Sequence, residues 1–155
     1  MVRRQQRLEQ IGMVAQEFLA AKTAAEWLQG CQDANPGFGD QYGWEAKAAI
    51  DFRKNLEATY IIRMYAEFEA GLRDYWKTHR KRRSHPQMLH LIRDLIPNQS
   101  FSQDIIDRAD DVRKYRNHLV HDMEEALPEG VMTFSVAEAK RCLCAYFGRL
   151  DARWK

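Results

Sequence analysis

The chain has 155 residues, 45% of them hydrophobic and 30% charged, with a formal net charge of +2. It is long enough to bury roughly 70% of its unfolded surface, so it needs no metal or disulfide staple. Its composition excludes a disordered polymer, and its near-neutral charge excludes a uniformly basic nucleic-acid coat, leaving nucleic-acid binding to local clusters.

From Arg3 to about Gln32, Leu8, Ile11, Ala15, Phe18, Leu19 and Ala25 recur at steps of three and four, which predicts a long first helix. "NPGFGDQYGW", Asn35 to Trp44, brings a proline and three glycines and must break it. A second pattern from about Glu45 to Arg80, with Leu56, Tyr60, Met64, Phe68, Leu72 and Tyr75 as its stripe, predicts the longest element. "KTHRKRRSHP" closes it, and Ser84 can cap a short helix that carries Met88, Leu89, Leu91, Ile92 and Leu95 before Pro97 stops it.

A fourth helix opens at Ser100 or Ser102 and is expected to fade around "EEALPEG". "SVAE", Ser135 to Glu138, has capping-box spacing, and Val136, Ala139, Leu143, Tyr146, Phe147, Leu150 and Trp154 line one face of a last helix. No segment alternates as a strand does. The fold class expected is therefore all-α, one domain over 1–155, a bundle of about five helices with two long antiparallel members.

No apolar run reaches the 18 or so residues of a membrane span, and the N-terminus lacks the hydrophobic centre of a signal peptide. A soluble, cytoplasmic protein with no membrane partner is the expectation. Cys31, Cys142 and Cys144 form no C-x-x-C pair, so they read as reduced thiols. Trp27, Trp44, Trp76 and Trp154 read as core or interface anchors rather than base-stacking platforms.

The fourth helix holds "VRKYRNHLVHD", Val112 to Asp122, with an unusual density of polar side chains. At about 100° per residue, Ile105, Ala109, Val112, Leu119, Val120 and Met123 fall on one stripe, and Arg116 falls near its middle. A guanidinium aimed at a core cannot shed its charge and needs an anion or an open cleft; Glu67 and Glu69 of the second helix are possible carboxylate partners. His121 lies about 140° round the helix from Arg116, so the two meet on one phosphate only if the helix deforms or a second copy crosses over. Arg113, Asn117 and His121 share a face, and His118 points about 60° away from its centre.

"RNHLVH", Arg116 to His121, resembles the R-x4-6-H motif of the HEPN superfamily in its form with Asn after the Arg. "YIIRMYAEFEAGLRDYW", Tyr60 to Trp76, resembles second-helix sequence of that superfamily, and the likeness spans about 45–154. It implies metal-independent RNA cleavage by a homodimer, with Arg116 and His121 as the motif pair, Asn117 as the polar residue beside them, and no metal or cofactor. It also implies toxin or defence roles and an antitoxin or regulatory partner. Some members have a Tyr two residues after the His, a site of nucleotidylation; here that residue is Met123. Other members are non-catalytic modules that bind a nucleotide or a protein.

Arg113 and His118 are further candidates for substrate contact, and Arg80, Lys81, Arg82 and Arg83 form a candidate phosphate-backbone patch or a solvated helix end. Two other readings use the same residues. Arg113, Lys114 and Arg116 can be ordinary helix charges paired with Asp107, Asp110 or Asp111, and His121 with Asp122 can be the core of an HD-type metal site completed by His90 and Asp151.

Overall fold

The computed structural model describes residues 3–78, 85–95, 102–151 and 154, and these are helical with no strand among them. Five α-helices follow in order: α1 (Arg3–Ala34), α2 (Ala46–Thr78), α3 (Met88–Asp94), α4 (Gln103–His121) and α5 (Val136–Arg149). A 3₁₀ turn, Asp40–Tyr42, sits between α1 and α2. The chain is thus an all-α bundle, and no described helix is long and apolar enough to cross a membrane.

The long helices α1 and α2 run antiparallel. Arg3 meets Asp74 at 3.0 Å, Arg7 meets Glu67 at 3.6 Å and Glu17 meets Arg63 at 2.7 Å, so residue numbers rise on one helix as they fall on the other. Phe18 packs edge-on to Tyr60 in the same register. The reversal is made by the glycine-rich segment: Gly43 takes φ 76°, a left-handed conformation that only glycine adopts cheaply, while its N–H donates to the Asp40 carbonyl. Phe38 fills the bend, against Trp27, Tyr42 and Trp44.

α5 closes the bundle against α1, α2 and α4. Phe68 of α2 meets Tyr146 and Phe147 of α5 at ring separations of 5.5 and 5.0 Å, and Tyr75 meets Trp154 at 5.2 Å. Gly71 permits this approach, because a Cβ there would stand 2.5 Å from the Phe147 ring. The start of α5 is fixed twice. Ser135 Oγ accepts the Glu138 N–H while the Ser135 N–H donates to Glu138, forming the expected capping box, and Glu57 of α2 accepts the Val136 N–H at 3.0 Å.

Several boundaries differ from the sequence reading. The expected end of α2 at Arg80 and the Ser84 cap lie outside the described residues; α3 is entered at Gln87, which makes no side-chain cap bond. α4 begins after Ser102 but stops at His121, because Asp122 leaves helical geometry at φ −136°. α5 ends at Arg149, and Trp154 reaches the core from beyond the helix, its N–H returning to the Asp151 carbonyl. Among the tryptophans, Trp154 is buried, Trp44 and Trp76 are half-buried, and Trp27 is exposed and so does not anchor the core.

Candidate functional site

α4 packs against α2, α3 and α5. Three neighbours bury a wider arc than one stripe: Ile106, Ala109, Asp110, Val112 and His118 are the buried residues. The expected apolar stripe is therefore corrected at three positions. Ile105 is half-buried while its neighbour Ile106 is buried, and Val120 in the last turn and Met123 beyond the end of the helix are exposed.

Charge in the middle of α4 is mostly settled locally. Asp110, only 5% exposed, accepts a hydrogen bond from Arg113 Nε at 2.6 Å and stands 3.5 Å from the Lys114 ammonium and 3.9 Å from the Arg93 guanidinium. Asp111 takes Lys114 at 3.2 Å. The reading of ordinary paired helix charges is right for Arg113 and Lys114.

Arg116 is different. Among the described residues no carboxylate lies within ion-pair distance of it, and neither of its two expected partners pairs with it: Glu67 is held by Arg7, and Glu69 by the Nε and Nη2 of Arg73 at 2.9 and 2.6 Å. Arg116 Nη1 donates to Asn117 Oδ1 at 3.2 Å, its guanidinium lies over the Tyr65 ring at 5.7 Å, and its Nε is buried without a partner. A guanidinium keeps its charge in proteins, so this is a fixed cation with an incomplete set of acceptors.

The space beside it is a cavity of about 180 Å³. α2 contributes Tyr65 and Glu69, the chain entering α3 contributes Gln87, α3 contributes Met88 and Leu89, and α4 contributes Arg113, Arg116 and Asn117. Arg73 holds this wall in place, because its third donor, Nη1, reaches the Pro86 carbonyl at 3.2 Å while the other two clasp Glu69. Tyr65 is 1% exposed and its hydroxyl has no partner; burial pushes its pKa well above the ordinary phenol value, so it remains a neutral donor. Comparison with protein-family models, curated proteins and solved structures gives no match to this chain. The likeness to the HEPN superfamily thus rests on the Arg116 to His121 motif and on the order of the helices.

The structure brings Arg116, Asn117 and Arg113 to one cavity and leaves the histidines out of it. His121, the last residue of α4, is exposed and does not line the cavity. His118 is 8% exposed, with Nδ1 unpartnered, and it is not among the residues that line the cavity. Arg80, Lys81, Arg82 and Arg83 lie outside the described residues. Among the described residues no three His, Cys, Asp or Glu side chains gather around a point that could hold a metal, so His90, His121, Asp122 and Asp151 do not form one ligand set.

The sequence reading missed Tyr65, Gln87 and Met88. Tyr65 had a signal available: it stands four residues after buried Ile61, three before buried Phe68 and four before Glu69, a phenol on a core stripe beside a carboxylate. Gln87 and Met88 had none, since only the path of the chain into α3 brings them to α4.

Proposed function

We propose that this protein is a HEPN-like, metal-independent endoribonuclease of toxin or defence type, acting as a homodimer in which Arg116 of one copy works with His121 of the other. The observation that carries the reading is the un-neutralised Arg116 guanidinium, half-buried in a polar cavity with Asn117 beside it. That is the arrangement needed to stabilise charge developing on phosphate oxygens, an effect often worth several kcal/mol. The exposure of His121 at the end of α4, beside exposed Val120 and Met123, leaves it available to a second copy.

The chemistry then follows from the side chains. An imidazole accepts the proton of a ribose 2′-OH, the oxygen attacks the adjacent phosphorus, the P–O5′ bond breaks with a proton delivered to O5′, and a 2′,3′-cyclic phosphate remains. General acid–base help of this kind typically contributes about 10²–10⁴-fold. Arg116 binds the non-bridging oxygens and Asn117 orients the guanidinium. An antitoxin or other regulatory protein that covers this face would restrain the activity.

The test is RNA incubated in excess EDTA with the wild type, Arg116→Ala and His121→Ala. Cleavage by the wild type with a loss of 100-fold or more in each variant is expected from the magnitudes above; an inactive wild type over a broad RNA panel would overturn it. One observation favours a second reading, a non-catalytic nucleotide- or protein-binding module: within one chain the cavity has a cation, an amide and a phenol but no histidine. Such a module would bind nucleotide through Arg116 and show no turnover.

A further inference from the structure

We infer that the Tyr65 hydroxyl is a phosphate-binding group, and that the cavity it shares with Arg116 selects a singly charged phosphodiester over a doubly charged terminal phosphate. The inference rests on the phosphate-handling role proposed for Arg116 and extends it to a residue on another helix and to the charge of the substrate.

Two residues that line this cavity each carry a buried donor without an acceptor, the Tyr65 hydroxyl and Arg116 Nε. A buried polar group left unmade costs about 1–3 kcal/mol, and proteins retain few of them. Tyr65 belongs to the hydrophobic core and also lines the cavity, which it shares with Glu69, Arg113 and Arg116. Both donor atoms are closed to solvent, and the Arg116 guanidinium is held by a single 3.2 Å bond and by the Tyr65 ring. In the proposed complex, rotation of Arg116 toward an anion opens the way to the phenol, so that both donors reach the same phosphate.

Charge balance sets the preference. Asp110 and Asp111 offset Arg113 and Lys114, and Arg73 offsets Glu69. Among the described residues that line the cavity, Arg116 is the one cation without a carboxylate partner, which matches one negative charge. A second negative charge would find no further unpaired cation among the described lining residues. With a water's share of liquid volume at about 30 Å³, the 180 Å³ cavity has room for one phosphate group and a few waters.

The test uses the full chain and two probes, adenosine 2′,3′-cyclic phosphate and inorganic phosphate, titrated calorimetrically at low salt into the wild type and Tyr65→Phe. The expected result is saturable binding of the cyclic phosphate by the wild type, tighter than that of inorganic phosphate. Tyr65→Phe should weaken it at least tenfold, as expected for a lost hydrogen bond to a charged group, while its melting temperature stays level or rises because no internal bond is lost. Equal binding by wild type and Tyr65→Phe, a lower melting temperature in the variant, tighter binding of inorganic phosphate, or no binding by the wild type would each overturn the inference. A tyrosine ultraviolet difference spectrum of the wild type on cyclic-phosphate binding gives a second readout: a shift is expected, and its absence alongside binding counts against the phenol. Tyr65-dependent binding in a protein that cuts no RNA would sink the nuclease reading alone; RNA cleavage at an unchanged rate in Tyr65→Phe would sink this one alone.

Discussion

Arg116 and Arg113 lie three residues apart on α4 and face the same cavity, yet their environments differ. Arg113 is tied by a 2.6 Å bond to buried Asp110, whereas Arg116 has an amide and an aromatic face. Asp110→Ala should therefore be mainly a stability lesion, since it strands Arg113 and leaves Lys114 with Asp111 alone. A loss of about 2–4 kcal/mol in denaturant unfolding is expected for breaking a largely buried pair, and a loss below about 0.5 kcal/mol would mean that water already screens it. Arg116→Ala should leave stability nearly unchanged and remove activity.

The buried phenols of Tyr65 and Tyr146 predict an alkaline limit. Burial raises both above their ordinary value of 10.0, and Tyr146 also donates to the Ile92 carbonyl at 2.8 Å. Above about pH 10 the unfolded chain releases these protons and the folded chain keeps them, so stability is full below that pH and falls as pH rises through it. Unfolding midpoints measured across that range should drop, and Tyr65→Phe should drop less steeply.

α5 is held both by its own capping box and by its packing on α2. Ser135→Ala removes one half of the capping box and should cost about 1 kcal/mol, read as a lowered unfolding midpoint. Gly71→Ala sets the helix preference for alanine, worth up to about 1 kcal/mol, against a Cβ driven into fully buried Phe147. Overpacking of this kind costs about 1–3 kcal/mol, so the net change should be destabilising; a more stable variant would show that the α2–α5 contact has slack.

Helices with strong caps and a 3.6-residue period were legible from sequence alone: α1 within two residues of its observed end, and α5 from its Ser135–Glu138 spacing. The end of α4 was not, because the polar run from Met123 onward carries no glycine or proline until Pro128 and nothing local marks the change at Asp122. The site was legible in part for the same kind of reason. Angular counting singled out Arg116 and separated it from His121, but Tyr65 and Gln87 reach the cavity through packing between helices far apart in the chain.

For the molecule as a whole, the trans arrangement proposed for Arg116 and His121 makes a quantitative expectation. Mixing inactive Arg116→Ala and His121→Ala proteins, with subunit exchange, should restore activity to about a quarter of wild type, since half the dimers are mixed and one of their two sites is intact. No recovery after demonstrated exchange would place both residues in one chain or demand two full motifs. If Arg80, Arg82 and Arg83 contact the RNA backbone, replacing all three with alanine should weaken RNA binding and flatten its salt dependence; an unchanged slope would return them to the role of solvated charge.

The ion pairs between α1 and α2 bear on how the bundle avoids misassembly. Arg7–Glu67 and Glu17–Arg63 are partly exposed, so each adds about 0–1 kcal/mol of stability. Their order along the helices matters more. Sliding α1 by one turn, about 5.4 Å, in one direction sets Arg7 opposite Arg63, and in the other sets Glu17 opposite Glu67. Either slip trades attraction for repulsion, so pairs that do little to hold the two longest helices together act as a ratchet against the neighbouring alignments.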